Sequence, residues 1–515
     1  MKIFTMYFIP SLLGSLVPFL LASTVYGTPC ANGSIHVPPA SNIPTGNPSK
    51  CNQTTYYFPQ KIYHNTNSSA SGASNQGNNT FLQQYQIISD FYRPGGPILF
   101  IQGAETPEFE CLEWFSIYDH AKELGALAVT IEHRYFGQSI PFGLKQEDNP
   151  NWPTSALEPM TLENIDLDTI TFLEWVKKTV PGAEKSKVII SGGSYAGFLT
   201  IHMKNTYPDV FFGALSSSSP IIGQVSDPND PYMYGIGNQA SSILSQMSAK
   251  GALRIKQSFE DIRHRISQND TSNMKEQYSL CTQPRTATEA SYIVAGFQSA
   301  FTNLCEFNWP PLKLGWKNTV PYPAEAAMRD IAALSPPFAP SEPIRIGVKY
   351  FNNANNATCL DWETSVRGEG SLPYAWARCH WLKHPDSFST ADSIFGLVAP
   401  DNSTNNVLDA GCKETFGIKA TDGGIKHQQE LKTSLADVLA AKRLIVSTGE
   451  YDSVTGVTFP RWAPGPAAED AKPVFVELGA HINDLMRESE YDREGVRDAR
   501  RAELEIMKGW LGSEV

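Results

Sequence analysis

The chain has 515 residues, 41% hydrophobic and 18% charged, which is ordinary for a globular protein and enough to bury a large core. Its 41 Lys and Arg against 53 Asp and Glu give a formal charge of −12, which argues against a nucleic-acid binder or a protein held to anionic membranes by basic patches. Length alone suggests two to four domain-sized units.

At the N-terminus, Lys2 precedes an apolar run from Ile3 to Leu21, interrupted by small residues and by Pro10 and Pro18. Ala22 and Gly27 offer small residues for cleavage, so residues 1–27 read as a secretory signal peptide and not as a membrane anchor. No comparable run follows, and no stable membrane insertion of the mature chain is expected. The expected destination is extracellular, with lysosome or vacuole as the alternative. N-x-S/T sequons at Asn32, Asn52, Asn67, Asn78, Asn269, Asn356 and Asn402 agree with export and are read as glycosylation sites. The eight cysteines fit disulfides in an oxidising compartment. Sequence alone does not fix their pairing, and Cys30–Cys51 is proposed only because the two are neighbours in the chain. The sequence contains no C-x-x-C and no H-E-x-x-H, so neither a metal nor a cofactor is expected.

Residues 65–80 are polar and rich in Gly, Ser and Asn, and read as a loop. Pro97–Ile101 is a continuous apolar run that suits a buried strand, ending at Gln102-Gly103. A helix over 113–124, a strand over Ala126–Glu132 and a helix around Ile165–Val176 follow. Then come a Val188-Ile189-Ile190 strand, a helix from Ser194 to about Asn205, and a short strand from Gly213. This alternation predicts a parallel sheet covered by helices over 28–219. From Pro220 the rhythm changes. Ile255, Phe259, Ile262 and Ile266 predict one helical stretch over 239–268, and five cysteines fall within 281–412. Residues 220–435 therefore read as an inserted, mostly helical cap braced by disulfides. Gly235-x-Gly237-x-x-Ala240 has no strand before it and is not read as a dinucleotide site. Strand patterns return at Leu444–Val446 and Val474–Val476, and a helix bearing Val496, Ala499, Ile506 and Trp510 closes the segment 436–515.

Gly192-Gly193-Ser194-Tyr195-Ala196-Gly197 stands where a strand meets a helix. Small residues there let strand and helix crowd together at a sharp turn that presents the serine. A serine hydroxyl needs a base to take its proton, and on an α/β-hydrolase fold acid and histidine follow the nucleophile, each after a later strand. Asp452 and His481 meet that requirement; Asp484 is a rival acid, read more simply as the start of the last helix. His133 precedes the serine and is read as structural.

Three segments, Gly192–Gly197, Glu132–Ser139 (EHRYFGQS) and Gly479–Asp484 (GAHIND), resemble the prolyl carboxypeptidase family of serine peptidases, which includes dipeptidyl peptidase II and fungal acid prolyl endoproteases. Thr80–Tyr85 and Gly95–Ile98 add to the resemblance, which keeps its order over about 56–220 and 440–490. It implies an α/β-hydrolase fold with a helical cap, and peptide or protein substrates cleaved next to proline at acidic pH. It carries the nucleophile to Ser194, the acid to Asp452 and the base to His481, and the oxyanion donors to the backbone of Tyr195 and of the Gly103-Ala104 turn. It also implies a Cys379–Cys412 disulfide; Cys305–Cys359 is a further guess. This chain departs from the family at Ser453-Val454, where relatives carry Pro-Trp, and at Ile482, where some carry a second histidine. A tryptophan lost at Val454 predicts a looser proline pocket unless Trp376 or Trp381 refills it. Exo- or endopeptidase action, and a monomer or a homodimer, are both left open; the alternatives to a peptidase are an esterase or acyltransferase on the same fold and a non-catalytic secreted glycoprotein.

Overall fold

The fold is built on one long apolar strand signal and its neighbours. The computed structural model describes residues 51–64, 80–222, 231–310, 320–354, 357–362, 371–382, 388–398, 407–418, 430–458 and 471–512. The signal segment, Cys30 and the sequons at Asn32, Asn67, Asn78, Asn356 and Asn402 lie outside them. Eight strands form one sheet: β1 (Tyr56–Lys61), β2 (Thr80–Ile88), β3 (Ile98–Gln102), β4 (Leu127–Ile131), β5 (Val188–Gly193), β6 (Phe211–Ser217), β7 (Leu444–Gly449) and β8 (Ala471–Val476). Their order is β1-β2-β4-β3-β5-β6-β7-β8. β1 and β2 are antiparallel to their neighbours, and the six strands from β4 to β8 run parallel.

Strand side chains alternate between faces, so each strand feeds two cores. Ile98, Phe100, Val129 and Ile190 point to one face, where they meet helices α2 (Leu162–Thr179) and α3 (Ser194–Thr206). Leu99, Ile101, Ala128 and Ile189 point to the other, against helix α1 (Ile117–Leu124) and the closing helix. Every residue of β3 and of β4 is buried, which is why both read as unbroken apolar runs. The α/β-hydrolase expectation holds.

Strands β1 and β2 have no counterpart among the strands expected from sequence. Their pairing places Gln60 beside Gln83, with a 3.1 Å side-chain bond, in a buried polar seam. Glutamines at buried positions hide the apolar alternation that marks a strand.

Between β6 and β7 the chain runs through helices: α4 (Gly235–Met247), α5 (Ala249–Ser267), α6 (Met274–Tyr278), α7 (Ala287–Glu306), α8 (Pro323–Ala333), α9 (Glu342–Ala354), α10 (Leu372–His380) and α11 (Val407–Phe416). Helices α4–α9 enclose a core of their own around Phe259, Phe297, Phe301 and Phe395, while α10 and α11 pack toward the core of the sheet. The single helix expected over 239–268 is two. Ser248 leaves helical geometry and its side chain accepts the Gly251 N–H at 3.0 Å, which caps α5. Helix α12 (Leu435–Ala440) returns the chain to β7, and α13 (Glu494–Gly512) packs back over the sheet.

The cysteines correct two expected pairs. Cys359 bonds Cys281 and not Cys305, which is a free, buried thiol; Cys51 bonds Cys111 and not Cys30. Proximity in sequence misled for Cys51, because tertiary packing brings together cysteines 60 residues apart there and 78 apart in Cys281–Cys359. Cys379–Cys412 is present. Asn52 and Asn269, the two described sequon asparagines, are exposed.

Candidate active site

In a parallel sheet the carboxyl ends of the strands form the natural ligand edge. Gly103-Ala104 follows β3, Ser194 follows β5, Asp452 follows β7 and His481 follows β8, so all stand at that edge.

Ser194 begins α3 with φ of 55°, in the left-handed region, and stays partly exposed. The glycines around it make the turn sterically feasible. A Cβ on Gly192 would lie 2.4 Å from the Ala196 carbonyl oxygen, and one on Gly193 would lie 2.5 Å from Ile482 Cγ2. The second contact also shows how closely the serine turn meets the residue after His481. Ala196, where the usual motif has glycine, is buried and accommodated.

The acid and histidine turns are stitched together by backbone. Tyr451 N–H donates to the Gly479 carbonyl at 2.8 Å, and Glu450 N–H to that of Val476 at 3.0 Å. Gly449 is needed because a Cβ there would fall 2.5 Å from the Gly479 carbonyl oxygen. His481 Nδ1 then lies 3.1 Å from both carboxylate oxygens of Asp452, whose Oδ1 also accepts the Val454 N–H at 2.9 Å. Both side chains are buried. Burial alone would depress the imidazole, but the Asp452 carboxylate, aided by Glu306 and Glu105, lifts it to about 9.

Asp484 does not compete for the imidazole. It accepts from Ser217 Oγ at 2.7 Å, packs by Glu503 of α13, and lies ten residues before that helix begins, not at its start. Ser218 Oγ accepts the Ile482 N–H at 2.9 Å, so the end of β6 fixes the histidine turn from below.

Tyr195 is fully buried, with His133 Nε2 3.1 Å from its hydroxyl. Burial holds His133 down at about 4, so it is a neutral spacer under the serine turn. Of the two tryptophans considered for the pocket, Trp381 reaches the site by donating to the Tyr195 hydroxyl at 3.3 Å. Trp376 stacks on His380 and donates to the Met160 carbonyl instead. Val454 is packed with Ile236 and Val457. At the Gly103-Ala104 turn a Cβ on Gly103 would lie 2.4 Å from the Ile131 carbonyl oxygen, so only glycine fits there.

The sequence reading missed three residues at this edge. Glu306 and Trp309 come from the inserted helices: the Glu306 carbonyl accepts the His481 N–H at 3.0 Å, and Trp309 Nε1 donates to the His481 carbonyl at 2.8 Å. Glu105 follows the Gly103-Ala104 turn, and burial raises its carboxyl above the usual range. Nothing in local sequence marks Glu306 or Trp309, which reach His481 only through the packing of α7. Glu105 was within reach, one residue beyond a turn already singled out.

The arrangement holds an imidazole against a carboxylate at the same strand edge as Ser194, and offers backbone amides at the head of α3. The chain is similar in sequence to known serine carboxypeptidases. The family model described as Serine carboxypeptidase S28 matches residues 73–315. The lysosomal Pro-X carboxypeptidase of Homo sapiens is 27% identical over 93% of this chain and 92% of its own length. A probable extracellular serine carboxypeptidase of Arthroderma benhamiae is 27% identical over 45% of this chain and 31% of its own. Among solved structures, a proline iminopeptidase of Mycobacterium smegmatis covers 84% of this chain and 97% of its own, at 10% identity and a TM-score of 0.35. The chain is a serine peptidase, and it is similar over residues 73–315 to the S28 family of serine carboxypeptidases.

Proposed function

We propose that this peptidase works through Ser194, His481 and Asp452, releasing its product through an acyl-enzyme. His481 takes the Ser194 proton as Oγ attacks the scissile carbonyl, then passes it to the departing amine. Asp452 orients the ring and stabilises its cation, and water attacks the ester with His481 again as the base. The backbone amides of Tyr195 and of the Gly103-Ala104 turn receive the oxyanion. The observation that carries this reading is the Asp452–His481 contact, 3.1 Å from Nδ1 to both oxygens, set at the same strand edge as a serine at φ of 55°.

Labelling with a fluorophosphonate probe tests it. The unaltered chain is expected to label at Ser194, and Ser194→Ala to lose both label and turnover while melting at the same temperature. Labelling at another serine, or near-normal turnover in His481→Ala, would overturn the assignment.

For substrate preference the reading is proline, or a small residue, on the acyl side of the bond. Trp381 beside Tyr195 supports an apolar wall, and Val454 in place of an aromatic side chain supports a looser one. A lost aromatic contact is worth about 1–3 kcal/mol, so the preference for Pro over Ala in kcat/KM on matched peptides should be weakened roughly ten- to a hundredfold. A preference beyond roughly a thousandfold would mean that the pocket is fully closed and the looser-wall reading is wrong. Export through the secretory pathway, with glycans on exposed Asn52 and Asn269, is part of the same proposal; mass spectrometry of the secreted chain checks it.

A further inference from the structure

The histidine turn does not rest on the sheet alone. Helix α7 belongs to the inserted helices, and its last residue, Glu306, reaches the site in two ways. Its backbone carbonyl accepts the His481 N–H at 3.0 Å. Its side-chain Oε1 accepts from Ser453 Oγ at 2.8 Å, and Ser453 adjoins Asp452. Glu306 is 5% exposed, so one buried residue of the inserted helices bonds by its backbone carbonyl to the histidine turn and by its carboxyl to the acid turn.

We propose that Glu306 is a positioning residue through which the inserted helices hold His481 and govern when its imidazole carries a proton. This rests on the reading of Ser194, His481 and Asp452 as the catalytic group.

The groups facing His481 come from three elements: Asp452 after β7, Glu306 at the end of α7, and Glu105 after β3. Those acting on Glu306 are His481, Asp452 and the Ser453 hydroxyl, while its neighbour Cys305 is a buried thiol held neutral by burial. Burial pushes Glu306 up to about 7; Asp452 adds to the push, and His481 and Ser453 oppose it. In mild acid the carboxyl is therefore neutral, and above about 7 it is an anion. The anion favours imidazolium, so His481 gives up its proton only at higher pH. The neutral carboxyl removes that hold while keeping the Ser453 bond and the backbone contact. A permanent anion in the same place would hold the proton on His481 more firmly at every pH. In mild acid Glu306 supplies the contact without the charge.

The test uses the full chain carrying Glu306→Gln, which has no charge and can still accept from Ser453. Two quantities are followed against pH: kcat/KM on a chromogenic peptide, and the downfield proton resonance of the His481 Nδ1–H. Both titrations are expected to move about one unit toward acid, giving about tenfold more neutral imidazole within the limb. Glu306→Ala should show the same shift with a lower melting temperature, since it also abandons Ser453. A role confined to packing would lower the melting temperature and leave both titrations in place, which would overturn the proposal. The resonance needs no turnover, so it decides on Glu306 even if the catalytic reading fails in the Ser194→Ala labelling test. Should Glu306→Gln not fold, Ser453→Ala replaces it. Losing that hydroxyl keeps Glu306 neutral to higher pH and should move the His481 titration the same way; an unmoved titration would overturn the proposal.

Discussion

Ser194 occupies the left-handed region at φ of 55°, a conformation that costs an ordinary residue about 1–2 kcal/mol. The surrounding glycines make that conformation possible, and each one does so against a different neighbour. Gly193→Ala places a Cβ 2.5 Å from Ile482 Cγ2 and 3.0 Å from Leu485 Cδ1, wedging the serine turn away from the histidine turn. A displacement near 1 Å at a reacting pair costs on the order of a hundredfold, so kcat/KM should fall about that much. Steady-state kinetics beside a melting curve check this; unchanged kcat/KM would mean that the two turns move as one. Asp452→Asn should cost roughly three to four orders of magnitude in kcat, because an amide at Nδ1 favours the wrong tautomer and cannot stabilise the cation. The Gly-x-Ser turn could be read locally because its constraint is local: strand, tight turn and helix are consecutive in the chain. Glu306 could not, because its partners His481 and Ser453 are set by the fold.

Helix α13 gives the clearest case of an element acting on the site from a distance. Arg500 donates to the Asn483 carbonyl at 2.8 Å, the Asp484 carbonyl at 3.1 Å and the Asp492 carboxylate at 2.6 Å, so it clasps the loop that follows His481. Both members of the Arg500–Asp492 pair are buried. Arg500→Ala strands a buried carboxylate and frees the loop, and should cost about 3–5 kcal/mol in denaturant unfolding. Arg500→Lys should recover little, because an ammonium cannot span three acceptors in a plane. A loss under about 1 kcal/mol in the alanine variant would mean that the clasp is idle. Among the inserted helices, the Cys281–Cys359 bond closes a loop spanning 78 residues and should contribute about 4 kcal/mol by chain entropy. A Cys281→Ser, Cys359→Ser chain is expected to melt earlier, and non-reducing peptide maps of the unaltered chain should show Cys305 free. The apolar periodicity of α13 and α5 made these helices visible in sequence. The break at Ser248 was not, since a single serine cap interrupts the pattern without changing it.

Taken whole, the molecule joins two distant pieces of chain in one sheet: β6 ends at Ser217, and its parallel partner β7 begins at Leu444. Its response to pH reflects groups buried throughout. Burial holds His120 and His133 at about 4, below the ordinary 6.5, so the folded chain takes up fewer protons than the unfolded one between those values. Their contribution is present above pH 6.5 and is lost as pH falls through about 4. Glu306 has the opposite sign: raised from 4.5 to about 7, it contributes below 4.5 and loses that contribution as pH rises through about 7. Glu105, Asp166, Asp484 and Glu503, raised by burial, act in the same direction as Glu306, so the histidines oppose the carboxyls, and each histidine is worth on the order of 3 kcal/mol at most. Denaturant midpoints from pH 6.5 to 4 check this: His133→Gln should lose less stability over that range than the unaltered chain, and an equal change in both would remove His133 from the account. By itself the sequence determined the α/β-hydrolase sheet from β3 to β8, the run of helices after β6, and Ser194, Asp452 and His481 as candidates after their strands, since each depends on runs and turns within a few residues. Only the tertiary structure decided the β1–β2 hairpin, the Cys51–Cys111 and Cys281–Cys359 bonds, the choice of Asp452 over Asp484 at the imidazole, and the placing of Glu306 beside His481. Each of these is a contact between groups far apart in the chain, chosen by how whole elements pack, and no local pattern of residues encodes that distance.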